Sequence, residues 1–301
     1  MLITVFTPTY NRAYKLRDLF NSLMQQTVKD FEWLIIDDGS SDNTKEIIET
    51  FNTDNKFHIR YIYKNNEGKQ IAMNEAADLA FGDWIFIVDS DDILKPYAVE
   101  KVIHYCMQIQ GNEQFAGVAG LRGTKNGEVW STSDISKVRK TNDLIHNTEY
   151  IDATAIEYRY KYKIQGDRAE VIRTSILKNY PFPKIQGENF IPEGYLWIRL
   201  ARDGYKFRWF NQVIYITEYL DDGLTKNGQV LAKKNCKSHS TMDNLVTSIK
   251  EIPIRDRLLS AVNYYRYGLY SGAKLKILFK DSKSKYLSIL AIPIACLFKI
   301  E

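Results

Sequence analysis

Asp89-Ser90-Asp91 sets two carboxylates one residue apart, directly after the apolar run 84–88. Hard divalent cations prefer oxygen ligands and keep part of their water shell, and a bound diphosphate supplies further oxygens. Two acids at a strand exit therefore suit Mg2+ or Mn2+ held against a nucleoside diphosphate; the bland alternative is a pair of solvated loop acids. Asp37-Asp38-Gly39-Ser40 closes the run 31–36. As local structure it is a turn. As a site, one of the two carboxylates accepts a hydrogen bond from a base N–H while Gly39 admits the ring. Pro8-Thr9-Tyr10-Asn11-Arg12 follows the first run. It offers an aromatic wall and backbone polar groups to a base and ribose, or it is simply a strand-to-helix turn. The first run is not followed by Gly-x-Gly-x-x-Gly, and the sequence has no Walker lysine loop, which argues against dinucleotides and P-loop use of ATP.

Three such clusters make one site only if a scaffold brings three strand ends together. Runs 2–7, 31–36, 57–63 and 84–88 read as strands. Between them, 12–26 places Leu16, Leu19, Phe20 and Leu23 on one helical face, and Ser41 or Asp42 caps a helix carrying Ile47, Ile48 and Phe51. Residues 69–81 and a stretch opened by Pro96 complete the helices. This alternation predicts a parallel, doubly wound α/β sheet that binds ligands at the carboxyl ends of its strands. After residue 111 the pattern becomes α+β. It shows a hairpin of 118–121 and 129–130 about Asn126-Gly127, a strand at 169–172 and a helix at 195–202 ended by Gly204. A second strand pair, 206–210 and 213–217, is expected about Asn211-Gln212, followed by a polar loop at 218–223 that offers a further ligand or a lid. Beyond Asp221 the chain reads as helical, with Pro253, Gly268 and Gly272 as breakers. The expected segments are therefore 1–110, 111–225 and a helical extension, 226–301.

The 301 residues carry 41 Lys+Arg against 37 Asp+Glu and are 45% hydrophobic, which excludes a disordered chain. No window reaches the roughly 20 apolar residues of a spanning helix. Cys106, Cys236 and Cys296 are few, odd in number and distant, as in a reducing cytosol rather than a disulfide scaffold. The first residues lack the basic segment of a secretory signal. Charge is uneven: residues 250–301 hold ten Lys/Arg and four Asp/Glu. They also hold five tyrosines and the run 287–298, in which only Ser288 is polar. This composition suits a segment lying on an anionic membrane surface, or a helical cap that packs on the protein or makes an oligomer. Nucleic acid fits less well, because no reading motif accompanies the charge.

Together, Thr-Pro-Thr-Tyr-Asn-Arg at 7–12, Ile-Ile-Asp-Asp-Gly-Ser at 35–40 and Gly-Asp-Trp-Ile-Phe-Ile-Val-Asp-Ser-Asp-Asp at 82–92 resemble family 2 glycosyltransferases of the GT-A fold. The resemblance implies a Rossmann-like nucleotide-sugar half at 1–110, an acceptor and catalytic-base half at 111–225, and inverting transfer from a nucleotide-sugar donor with Mn2+ or Mg2+. A UDP-sugar is the expected donor. On this likeness Pro8, Thr9 and Tyr10 face the nucleoside, Asp38 the base and Asp91 the metal. Asp89 serves metal and ribose, Ser90 sits beside them, and Lys69 reaches the diphosphate. The family's base is the second acid of a pair heading a helix with Leu-Trp. Alignment on Leu196-Trp197 puts Glu193 there, with Pro192 in place of the preceding acid and Glu188 as fallback. Arg208-Trp209 lacks the glutamine of a processive synthase's box, so one sugar per encounter is expected. The implied acceptor is a glycan or lipid-linked hydroxyl in envelope polysaccharide synthesis, met in the cytoplasm at the inner membrane face. Two alternatives stay open. A nucleotidyltransferase would need a Gly-rich basic loop that is not found, and an inactive sugar-nucleotide scaffold sits poorly with intact Asp89, Asp91 and Glu193.

Overall fold

A computed structural model describes residues 2–51, 56–124, 129, 149–217, 228–298 and 300. The expected Asn126-Gly127 turn, residue 130 and the 218–223 loop lie outside them. The chain forms two compact units, Met1–Pro181 with Asp203–Tyr219, and Phe182–Arg202 with Leu220–Glu301.

The first unit is built on one mixed sheet. Its strands are β1 (Ile3–Thr9), β2 (Phe31–Asp37), β3 (His58–Tyr63), β4 (Trp84–Ile87), β5 (Ile93–Leu94), β6 (Phe115–Gly123), β7 (Tyr150–Ala153), β8 (Arg168–Arg173) and β9 (Lys206–Ile216). They lie in the order β3-β2-β1-β4-β8-β6-β9-β5, with β7 also on β9. β3, β2, β1 and β4 are parallel. β8 is antiparallel to both β4 and β6, and β9 is parallel to β6. The carboxyl ends of β1, β2, β4, β6 and β9 therefore share one edge. β1, β2 and β4 are buried along their whole length, as expected of parallel strands covered on both faces. The covering helices are α1 (Ala13–Met24), α2 (Thr44–Glu49), α3 (Lys69–Leu79), α4 (Ala98–Gln108) and α5 (Thr174–Asn179). α1 buries Leu16, Leu19, Phe20 and Leu23 against Val5, Trp33 and Phe86 in one core.

The expected strand pair about Asn211-Gln212 is instead the single strand β9. A two-residue hairpin turn calls for positive φ, and neither residue has it. The chain stays extended because both its sides are occupied, by β6 on one and by β7 and β5 on the other, and Asn211 N–H donates to Glu149 O at 3.0 Å. The misfit between its halves is absorbed as register shifts along β6 near Leu121.

The second unit contains α6 (Gly194–Arg202), α7 (Gly228–Lys234), α8 (Cys236–Thr247), α9 (Ile254–Tyr270), α10 (Leu275–Asp281) and α11 (Lys285–Leu297). Pro253 precedes α9 and Gly272, at φ 85°, follows it, both as breakers. Gly268 breaks nothing: α9 runs through it, and its missing side chain makes room for Leu278, which a Cβ would meet at 2.6 Å. Around this contact Ala261, Val262, Tyr265, Leu287, Ala291 and Ala295 form a core of their own. The apolar run of α11 is thus divided. Leu287, Ala291 and Ala295 face inward at four-residue spacing, while Ile289, Leu290, Leu297 and Phe298 are exposed. No helix among the described residues is long and apolar enough to cross a membrane.

Candidate active site

The three polar clusters meet at the carboxyl edge of the sheet, where the register pairs Thr9 with Asp37 and ends β4 at Ile87. Asn11 ties the first two together. It adopts φ 51°, a conformation Asn tolerates better than most residues. Its side chain accepts the N–H of Ser41 at 2.8 Å, and its own N–H donates to Ser40 Oγ at 2.8 Å. Asp42 accepts from the N–H groups of Thr44 and Ala13, so from one residue before the N-cap Asn43 it ties the start of α2 to the start of α1.

Asp38 is buried and accepts three donors: Lys64 Nζ at 3.0 Å, Glu67 N–H at 2.9 Å and Gly68 N–H at 2.7 Å. Gly39 serves the same contact. At φ 86° its Cβ position lies 2.9 Å from the backbone nitrogen of Asn66, so a side chain there would push the 64–68 loop away. Asp37 accepts Ser40 N–H and the Tyr61 hydroxyl, which fixes the turn. Pro8 and Thr9 are buried at the end of β1, and Tyr10 is exposed beside them. Thr9 Oγ1 is buried without a hydrogen-bond partner, the kind of orphan that a bound ligand or water satisfies.

Lys69 opens α3, and its ammonium forms an ion pair with Asp89. Arg122, on β6, reaches the same carboxylate at 3.5 Å and Asp92 at 3.7 Å. Its guanidinium lies over the Tyr215 ring, 4.3 Å from the centroid, and its Nε donates to Arg168 O. Tyr215 accepts the Asp89 N–H at 2.8 Å. Burial pushes the Asp89 carboxyl up, but Lys69 and Arg122 outweigh it and hold Asp89 below the usual range. Asp91 differs: burial, then the Asp89 charge, pushes it up, and Arg12 Nε is 4.0 Å away. Asp92 is raised to about 7 by burial and by Asp89, against the pull of Arg122. Ser90 is buried between the acids.

Asp91 is thus a largely buried carboxylate with a second one, Asp89, beside it, and its ligand chemistry is all oxygen. Among the described residues no three His, Cys, Asp or Glu side chains form a protein cage. A cation at Asp91 would complete its shell with diphosphate oxygens and water, as Mg2+ commonly does. Arg122 and Tyr215 escape a motif-based reading. The one sequence hint is a charged residue inside the strand run 115–123.

Two candidate acids, Glu188 and Glu193, belong to the second unit. Glu193 immediately precedes α6, and its carbonyl accepts the Leu196 N–H at 2.9 Å. Glu188 caps α8, accepting the N–H groups of Lys237 and Ser238, both at 2.8 Å, and the Ser238 hydroxyl at 2.6 Å.

The model of the family described as glycosyl transferase family 2 matches residues 4–173. An uncharacterized glycosyltransferase of Nostoc sp. is 26% identical over 213 residues, 63% of this chain and 66% of that protein. A Bacillus subtilis glycosyltransferase named for teichuronic acid biosynthesis is 32% identical over 38% of this chain and 46% of its own length. The chain therefore spans about half to two thirds of these relatives. S. aureus TarS 1–349 in complex with UDP-GlcNAc superimposes with a TM-score of 0.63 at 17% identity, covering 98% of this chain and 80% of that one. The mannosyltransferase PcManGT of Pyrobaculum calidifontis, solved with GDP-Man and Mn2+, gives 0.58 at 15% identity, with 99% and 81% covered. These likenesses establish the GT-A fold.

Proposed function

The chain belongs to glycosyltransferase family 2, and from that premise we propose that it moves one sugar, with inversion, from a UDP-sugar to a hydroxyl of a glycan or lipid-linked acceptor in envelope polysaccharide synthesis. The observation that carries this reading is the gathering of Asp38, Lys69, Asp89, Asp91 and Arg122 at one sheet edge. Pro8, Thr9 and Tyr10 flank the nucleoside. Asp38, with its loop fixed by three donors, aims a remaining lone pair at the base. Asp89 and Ser90 take the ribose side, and Lys69 and Arg122 supply positive charge where the diphosphate lies. Asp91, with Asp89 beside it, would hold Mn2+ or Mg2+, which when bound stabilises charge on the departing diphosphate.

Glu193 is the base. Its carboxylate takes the proton of the acceptor hydroxyl as that oxygen bonds to the anomeric carbon and the carbon–oxygen bond to the diphosphate breaks. Glu188 is the poorer candidate, because its carboxylate is committed to capping α8. The protein works in the cytoplasm at the inner face of the plasma membrane, with residues 250–301 against anionic lipid.

Calorimetry with a panel of nucleoside diphosphates, with and without Mn2+, tests the reading. UDP binding that requires the metal and disappears in Asp91→Asn is the expected result. Preference for GDP, CDP or dTDP would overturn the role of Asp38, and binding of none would overturn the donor site.

A further inference from the structure

α6, α8, α9 and α10 line an open cleft of about 550 Å³, within the roughly 300–1,000 Å³ typical of small-ligand sites. Its floor is buried and mostly apolar, formed by Leu245, Tyr264, Gly268 and Leu278. Its rim is cationic: Arg199, Arg202, Lys237 and Lys283 stand against one carboxylate, Asp281. Among the described residues neither the Lys237 nor the Lys283 ammonium has a carboxylate within 4.0 Å, and Lys237 Nζ donates to Gln186 O at 3.4 Å. Asn244 fixes the rim to α8, donating to Asp281 O and accepting the Lys283 N–H. A cationic rim over an apolar floor selects an anion that carries apolar bulk.

The surroundings point to a lipid rather than a free anion. Ile277 lines the cavity and is also half exposed on the outside of α10. Leu275 and Phe279, one turn apart, form an exposed apolar face on α10, and Leu290 and Leu297 form one on α11. Lys274, Lys276, Lys280 and Lys285 are exposed on the same two helices and the links that join them. Apolar side chains fringed by lysines are the composition of helices that lie in an anionic bilayer surface.

We propose that this cavity receives the phosphomonoester headgroup of an anionic lipid, with the exposed faces of α10 and α11 set in the bilayer. The inference rests on the placement of residues 250–301 against anionic lipid given above. Flotation of the full chain tests it, with vesicles of phosphatidylcholine alone and with phosphatidic acid or phosphatidylglycerol added at matched surface potential. The expected result is at least fivefold preference for the phosphomonoester, phosphatidic acid. The double variant Lys237→Gln/Lys283→Gln should lose that preference, and Leu290→Ser/Leu297→Ser should weaken binding to every vesicle. Equal binding to the two anionic vesicles, or a preference that survives in the lysine variant, would overturn the cavity's role. Saturable calorimetric binding of inorganic phosphate without vesicle binding would overturn the lipid source. UDP titration of the same samples separates the two readings: intact UDP binding with no flotation sinks this inference alone, and lost UDP binding in the unaltered protein sinks the donor reading.

Discussion

Arg122 Nη1 lies 3.5 Å from Asp89 Oδ2 although β8 separates their strands in the sheet. The same guanidinium faces Asp92 and Glu170 and stacks on Tyr215, so one buried cation is shared among three acids at the candidate donor site, of which Asp89 also pairs with Lys69. Arg122→Met removes the charge and keeps much of the volume. UDP affinity in the presence of Mn2+ should fall at least tenfold, or about 1.4 kcal/mol. The fold should lose on the order of 3 kcal/mol, the scale for stranding one side of a buried ion pair. Calorimetry and urea unfolding read the two effects separately, and unchanged UDP affinity would remove Arg122 from the donor site.

Glu193 and Glu188 separate by what each substitution damages. Glu193→Gln cannot take a proton, so kcat should fall by roughly 10²–10⁴-fold while UDP affinity stays within twofold. Glu188→Gln weakens the cap of α8 and should cost about 1 kcal/mol of stability, with activity kept well below the melting range. The opposite pattern, a dead Glu188→Gln and an active Glu193→Gln, would exchange their roles.

The clustering of the candidate acids is legible because a parallel sheet sends its strand ends to one edge, and Asp38, Asp89 and Asp91 each follow an apolar run. What surrounds them is not. Arg122 and Tyr215 reach Asp89 from strands that enter the sheet out of sequence order, and only β8, inserted between β4 and β6, defines that neighbourhood. The family likeness places Lys69 at the diphosphate, whereas its ion pair with Asp89 depends on how α3 packs. Asn211-Gln212 resembles a turn because local polarity marks turns, but pairing along both sides of β9 overrides it. Gly268 misleads for a related reason, since its value is the space it leaves for Leu278.

Glu32 is another contact that no local pattern marks. It is fully buried in β2 and accepts Thr4 Oγ1 and Phe81 N–H, both at 2.6 Å, and Arg60 Nη1 at 2.9 Å. Thr4 and Glu32 lie near the amino ends of β1 and β2, at the opposite ends of these strands from Asp38. Glu32→Ala should destabilise the fold by about 3–5 kcal/mol, read by urea unfolding. UDP affinity, measured well below the transition, should stay within twofold. A tenfold loss of affinity would show that the edge bearing Glu32 is coupled to the site.

Asp243, on α8, gives the helical unit a pH dependence of definite sign. Burial raises its carboxyl from 3.8 to about 7, against the opposing hydrogen bond from Ser260, and the Tyr267 hydroxyl feels its charge. The folded state therefore holds a proton that the unfolded chain releases near pH 4. The stabilising contribution is complete below that value and is lost as pH rises through 7. Asp243→Asn keeps a neutral, similarly shaped group. Near pH 4 the variant should melt close to the unaltered protein, and at pH 8 it should be more stable by on the order of 2 kcal/mol. Calorimetric melting at the two pH values decides it: a difference of the same size at both would mean that Asp243 matters for packing, not for its proton.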